Sequence, residues 1–135
     1  MLREDSTPSE SEWLIMEVLW TAGEPMTSSE IIRHLEGRAS MTSRMVRVLI
    51  NRLCQKGILG YTVDVQDSRV YHYYAKRSQE ECRKEKGRKF VDSYFKGSQT
   101  GAVAALLESA ALTDEQIREL EEILEKSRGK GDTCR

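Results

Sequence analysis

Cysteine and histidine are scarce in this sequence, and each scarcity excludes something. Of 135 residues, three are Cys, two are His and two are Pro. Cys54, Cys82 and Cys134 are odd in number, far apart and in no paired motif. That excludes a disulfide framework and points to a reducing compartment, so a cytoplasmic protein is expected. His34 and His72 fall on different predicted elements, and neither has a Cys or carboxylate neighbour at metal-ligand spacing. No Gly-rich phosphate loop occurs, and no Ser/His/Asp set can be picked out by position. The expectation is a protein that is not an enzyme and holds no cofactor or metal. No apolar run approaches the roughly 18 to 20 residues of a membrane span. The N-terminal "MLREDSTPSE" lacks the basic segment and apolar stretch of a secretory signal.

Net charge is nearly absent too, at −1, but the total conceals a segregation. Residues 31 to 89 hold 14 Lys and Arg against 6 Asp and Glu, whereas residues 98 to 135 hold 5 against 8. A basic middle and an acidic end imply different partners for the two regions.

What is present is a succession of well-punctuated helices. Ser9 and Glu12 have the S-x-x-E form of a capping box, followed by Trp13, Leu14, Met16, Val18, Leu19 and Trp20 and a stop near Gly23. Thr27 and Glu30 open a second helix with Ile31, Ile32 and Leu35 on its buried side and Gly37 beyond it. Thr42 caps a third, which Gly57 ends. The period then changes: "ILGYTVDVQDSRVYHYYA" alternates Tyr61, Val63 and Val65, then Val70, His72 and Tyr74, around a polar break at Gln66 to Arg69. Three short helices followed by a β-hairpin predict a mostly α protein built on a winged helix-turn-helix domain, residues 1–77.

The third helix carries two patterns at once. Val46, Leu49, Ile50 and Leu53 recur at i, i+3, i+4 and i+7, which places them on one side. Cys54 falls on the same side and reads as a small core residue. The other side bears Arg44, Arg47, Asn51 and Arg52. A helix in this position, with an apolar back and an arginine-bearing front, fits the major groove of double-stranded DNA, where Arg makes paired hydrogen bonds to guanine. Ser43, Arg44, Met45, Arg47 and Val48 are expected toward the groove, with Asn51 beside them. Arg52 and Lys56 are assigned to phosphates or to pairs within the chain. On the hairpin, Arg69 and the hydroxyl of Tyr71 are expected to reach backbone phosphate.

From Ser78 the helical period returns, with another capping box in "SQEE". Phe90, Val91, Tyr94 and Phe95 share a side; Val103, Leu106 and Leu107 follow. Thr113 and Gln116 then cap a helix striped by Ile117, Leu120, Ile123 and Leu124, with Leu112 and Ile117 set as a hydrophobic staple. Residues 78–128 have too little chain to enclose a core of their own. A second copy of the chain is the simplest apolar partner, so a helical dimerisation region is expected, with Phe90, Tyr94, Val103, Leu106, Leu107, Ile117, Leu120, Ile123 and Leu124 at its contact. Residues 129–135 read as a flexible tail. Two other readings remain open: a winged-helix module that pairs with protein, and a regulator that responds to a ligand or to oxidation of Cys82 or Cys134.

Taken together, "SEWLIMEVLW", "SSEIIRHL", "VRVLINRLCQKGIL", "YHYYA" and "FVDSYFKGS" resemble the BlaI/MecI/CopY family of transcriptional repressors, from about Ser9 to Lys126. The pattern E-W-x-x-M-x-x-x-W at Glu12 to Trp20, followed by R-L-x-x-K-G at Arg52 to Gly57, carries the likeness. The resemblance implies a homodimer of winged helices that blocks transcription on a palindromic operator. For some members it implies release through a membrane sensor peptidase pathway that cuts the dimerisation region. The bond cut in those members aligns with Ala105 and Leu106, neither of which matches the family's Asn-Phe signature. The paired C-x-C motifs of the copper-responsive members are absent. Met45 and Val48 stand where family members commonly place threonines.

Overall fold

The computed structural model describes residues 6–38 and 40–133. In chain order they form helices α1 (Glu10–Ala22), α2 (Ser28–Leu35) and α3 (Ser43–Gln55), strands β1 (Leu59–Val63) and β2 (Tyr71–Ala75), then helices α4 (Gln79–Phe95), α5 (Gln99–Glu108) and α6 (Asp114–Thr133). The first five elements make the winged helix-turn-helix that the sequence predicts.

Each helix starts where a short polar side chain can satisfy free backbone donors. The Ser9 hydroxyl accepts from the Glu12 N–H while Glu12 Oε1 accepts from the Ser9 N–H. The same reciprocal pairing links Thr27 with Glu30, Ser78 with Glu81 and Thr113 with Gln116. Thr42 caps α3 through the Met45 N–H alone. The stop of α3 is equally local. Gly57 takes φ 78°, its N–H donates to the Cys54 carbonyl, and the Ile58 N–H donates to the Leu53 carbonyl. This Schellman turn needs a residue at positive φ, which glycine adopts without steric cost. It also swings Ile58 back beside Leu53, both fully buried.

The apolar stripes of α1, α2 and α3 converge on one core with the start of β1. Ile15, Met16, Leu19, Ile31, Leu35, Val46, Leu49, Ile50, Leu53, Ile58 and Leu59 are its centre. Cys54 is half-buried against this core rather than fully inside it. Trp13 and Trp20 meet edge to face at 5.1 Å, and the Trp20 indole N–H donates to the Arg77 carbonyl at 3.0 Å.

The hairpin pairs Leu59 with Ala75 and Val63 with Tyr71, antiparallel. Its turn is longer than the expected Gln66 to Arg69. Asp64 accepts from the backbone N–H groups of Gln66 and Asp67 and from the His72 ring, a network that closes the turn from Asp64 to Val70 and leaves Val65 fully exposed. Val65 and Val70 therefore lie outside the strands. A feature without an advance signal is the bridge from Met26 to Tyr73, with N–H to carbonyl bonds of 2.9 and 2.8 Å. It ties the link between α1 and α2 to the outer edge of the wing. The end of the Tyr74 ring covers Gly60 from the opposite strand, and a Cβ there would lie 2.6 Å from it, so a larger residue would displace the ring.

The chain divides into two compact units, Met1–Phe90 and Val91–Arg135. The first extends past residue 77, where the sequence suggests a boundary, because the opening turns of α4 are fastened to it. Arg77 donates to Glu85 at 2.6 Å, Ser6 donates to Glu85, Lys86 donates to Thr7, and Cys82 is fully buried. The second unit holds the end of α4, α5 and α6. Helix α6 continues to Thr133, so the helical region runs beyond residue 128 into the span expected to be a flexible tail. Cys134 lies outside the described residues.

Candidate nucleic-acid interface

Helix α3 is amphipathic in the strict sense, and its buried side fixes what its open side presents. With about 100° of turn per residue, Val46, Leu49, Ile50 and Leu53 define the core direction. Arg44, Val48 and Asn51 then point away from it, with Arg47 on one flank and Met45 and Arg52 on the other. Ser43, Arg44, Met45, Arg47, Val48, Asn51 and Arg52 are all exposed. Among the described residues, none of the three arginines is paired with a carboxylate. Lys56, by contrast, is committed within the chain: its ammonium donates to Glu12 at 2.7 Å and to the Thr7 carbonyl at 3.1 Å.

On the Arg47 flank, α3 forms one wall of a polar crevice of about 530 Å³. Arg47, Ile50 and Asn51 line it from α3; Arg69, Val70, Tyr71 and Tyr73 line it from the wing; Thr27, Ser28 and Ser29 line it from the start of α2. Four residues expected to act together, Arg47, Asn51, Arg69 and Tyr71, are thus gathered in one place. The capping box of α2 uses the Thr27 and Glu30 N–H groups and leaves those of Ser28 and Ser29 outside the helical ladder. With the serine hydroxyls and the positive end of the helix dipole, they suit an anionic oxygen. Thr27, Ser28, Ser29 and Tyr73 are additions to the expected site. "TSSE" carried the signal, because the residues that start a helix also line this crevice.

The wing side of the crevice is ordered by its aromatics. Tyr61 and Tyr71 stack at 4.7 Å with an interplanar angle of 3°, and Tyr73 tilts onto both. Burial pushes the Tyr73 hydroxyl up from its ordinary value, which keeps it protonated as a donor. Arg69 is bound to its own neighbour. Its guanidinium donates to both Asp67 oxygens, at 3.1 and 3.3 Å, and this pairing first of all holds the Asp67 carboxyl below its usual range. Arg69 is 89% exposed at the wing tip, yet its charge is already answered.

The residues expected at a dimer contact are exposed in the single chain: Phe90, Tyr94, Val103, Leu106, Leu107, Ile117, Leu120, Ile123 and Leu124. In α5 and α6 the described residues bury only Ala102. Ala105 and Leu106 lie inside α5, both exposed. Among the described residues no group of His, Cys, Asp or Glu is placed to hold a metal ion, and no helix is long and apolar enough to cross a membrane.

Residues 8–126 match the penicillinase repressor family. The methicillin resistance regulatory protein MecI of Staphylococcus aureus is 25% identical over 118 residues, which are 87% of this chain and 93% of that protein. The penicillinase repressor of Bacillus licheniformis is 25% identical over 122 residues, 90% of this chain and 92% of that one. Among solved structures, the DNA-binding domain of the repressor BlaI is 20% identical, with a TM-score of 0.49 over 59% of this chain and 93% of its own. The family match spans nearly the whole sequence, both motif segments and all of the elements from α1 to α5 included: the chain belongs to the penicillinase repressor family.

Proposed function

We propose that the protein is a transcriptional repressor that binds double-stranded operator DNA as a homodimer. The observation that carries this reading is the set of exposed arginines on α3, without a carboxylate partner among the described residues, next to a crevice lined by hydrogen-bond donors. Helix α3 enters the major groove, where Arg44, Met45, Val48 and Asn51 face base edges. Arg47, the N-terminus of α2 and the tyrosines of the wing hold backbone phosphates on either side, which fixes register without reading sequence. Arg52 serves phosphate further along.

The apolar stripes of α5 and α6 pack against those of a second copy. A two-fold dimer places two α3 helices symmetrically, so its operator is palindromic. Release by cleavage at Ala105–Leu106 requires α5 to open, because peptidases act on extended chain. A ten-residue helix with a single buried side chain opens at low cost. Neither residue matches the family's signature, so release by a bound ligand is the competing form of induction.

Retardation of genomic fragments in a gel at two salt concentrations tests the reading. Discrete bands that weaken steeply with salt are expected, with a slope of roughly 0.9 per phosphate neutralised. No retardation even at low salt would leave a winged-helix module that pairs with protein.

A further inference from the structure

The outward face of α3 is not wholly polar. Met45 is 50% exposed and Val48 45% exposed, three residues apart and so adjacent on the helix surface. Val48 occupies the middle of that face, one turn after Arg44 and one turn before Arg52, and neither side chain is part of the buried core. Single exposed apolar residues are ordinary. Two neighbours set among three arginines, on the face that meets the groove, are a patterned surface. A β-branched residue at such a position weakens the helix slightly and adds nothing to the core.

The major groove supplies one apolar feature. Every base pair presents hydrogen-bond donors or acceptors there, but only thymine adds a methyl group. We propose that Met45 and Val48 read thymine methyls, while Arg44 and Asn51 read the polar edges of adjoining bases. The operator then carries thymine at the base pairs beneath the middle of α3, and these two apolar side chains set that preference. This inference rests on the DNA-binding reading above and specifies what that same surface recognises.

The test begins with the full-length protein selecting its preferred duplex from a random pool. Each thymine of the selected site is then replaced singly by deoxyuracil, which lacks only the methyl, and affinity is followed by fluorescence anisotropy. At one or two positions per half-site the replacement is expected to weaken binding about fourfold, the equivalent of ~0.8 kcal/mol for one buried methyl-sized group. In Val48→Ser and Met45→Gln, both at exposed positions that leave the fold intact, the penalty at the matching position disappears. If complete replacement by uracil leaves affinity unchanged while Arg44→Ala still lowers it, the methyl reading fails and the DNA reading stands. Uracil penalties that persist undiminished in both variants also overturn it, since another residue then reads the methyl. A pool that yields no bound duplex rejects the DNA reading, and this inference with it.

Discussion

Glu12 and Lys56 stand 44 positions apart in the chain and meet at 2.7 Å, with the Glu12 side chain 2% exposed. The contact joins the two motifs that carry the family likeness: Glu12 opens the tryptophan motif of α1, and Lys56 stands next to the glycine that ends α3. One carboxylate thereby caps its own helix through the Ser9 N–H and anchors the far end of α3. The direction of α3 relative to α1 is fixed at both of its ends, by the core at one and by this pair at the other.

Removing either partner is expected to have unequal effects. Lys56→Met leaves a buried carboxylate without its cation, and a fully buried pair broken this way costs ~3–5 kcal/mol. Lys56 keeps 21% exposure, so a loss of about 2–3 kcal/mol is expected here. Glu12→Gln retains a cap acceptor and lets the lysine turn to solvent, so it should cost less. Urea denaturation of both variants and of the double variant measures the difference. Equal losses for the two single variants would contradict this account of the pair.

The pair between Arg77 and Glu85 makes a pH prediction. The Arg77 guanidinium, with lesser help from Ser6, holds the Glu85 carboxyl below its ordinary value of 4.5. A depressed carboxylate contributes stability that is complete above its unfolded pKa and is lost as pH falls through the folded one. Thermal melting of the parent and of Glu85→Gln should therefore differ by a constant amount well above pH 4.5, and the gap should narrow as pH falls below it. A gap that does not narrow in acid, while both proteins remain folded, would mean that the ionised carboxylate is not what fastens α4.

Much of this was legible in the sequence because it is local. Capping boxes, the Schellman glycine and the core stripe all relate residues three to seven apart, and each formed where the spacing placed it. What was hidden depends on residues distant in sequence. Met26 pairs with Tyr73 because the backbone after Pro25 runs alongside β2, and no side-chain pattern records that. Ser28 and Ser29 join the crevice only because α2 begins beside α3 and the wing. A hairpin turn suggests phosphate contact for Arg69, but Asp67 two residues earlier reaches it first. Cys82 stands among charged neighbours in the sequence, yet its side chain is fully buried.

That last placement bears on oxidation. Burial pushes the Cys82 thiol up, with Arg77 opposing only in part, and a buried protonated thiol is a poor nucleophile. Iodoacetamide at neutral pH should leave Cys82 unmodified in the native protein and label it fully after denaturation, as read by peptide mass spectrometry. Rapid native labelling would reopen the redox reading for this residue.

The Asp67–Arg69 pairing alters what a wing variant should do. A cation already answered by its own carboxylate neutralises less of a phosphate than a free one. Arg47→Ala is expected to lower the slope of log affinity against log salt by about one unit, and Arg69→Ala by clearly less. Asp67→Ala should release Arg69 and steepen the slope while raising affinity for all sequences alike. If Asp67→Ala weakens binding instead, the aspartate serves by shaping the wing, and the loss of its bond to the Arg69 N–H is the dominant effect.

Helix α6 leaves one surface open. Ile117, Leu120, Ile123 and Leu124 remain 37 to 63% exposed along one stripe, and a lone helix in water gains little from an apolar face it cannot cover. In the proposed dimer a second copy covers it, so the helix and the dimer should form together. Leu120→Asp with Ile123→Asp is expected to halve the mass measured by light scattering after size exclusion. It should also lower the helical circular dichroism signal and weaken binding to a full operator far more than to a half-site. The winged helix, whose core contains neither residue, should keep its cooperative unfolding. A variant that keeps its dimer mass would place the stripe outside the contact and return these four residues to the surface of the chain.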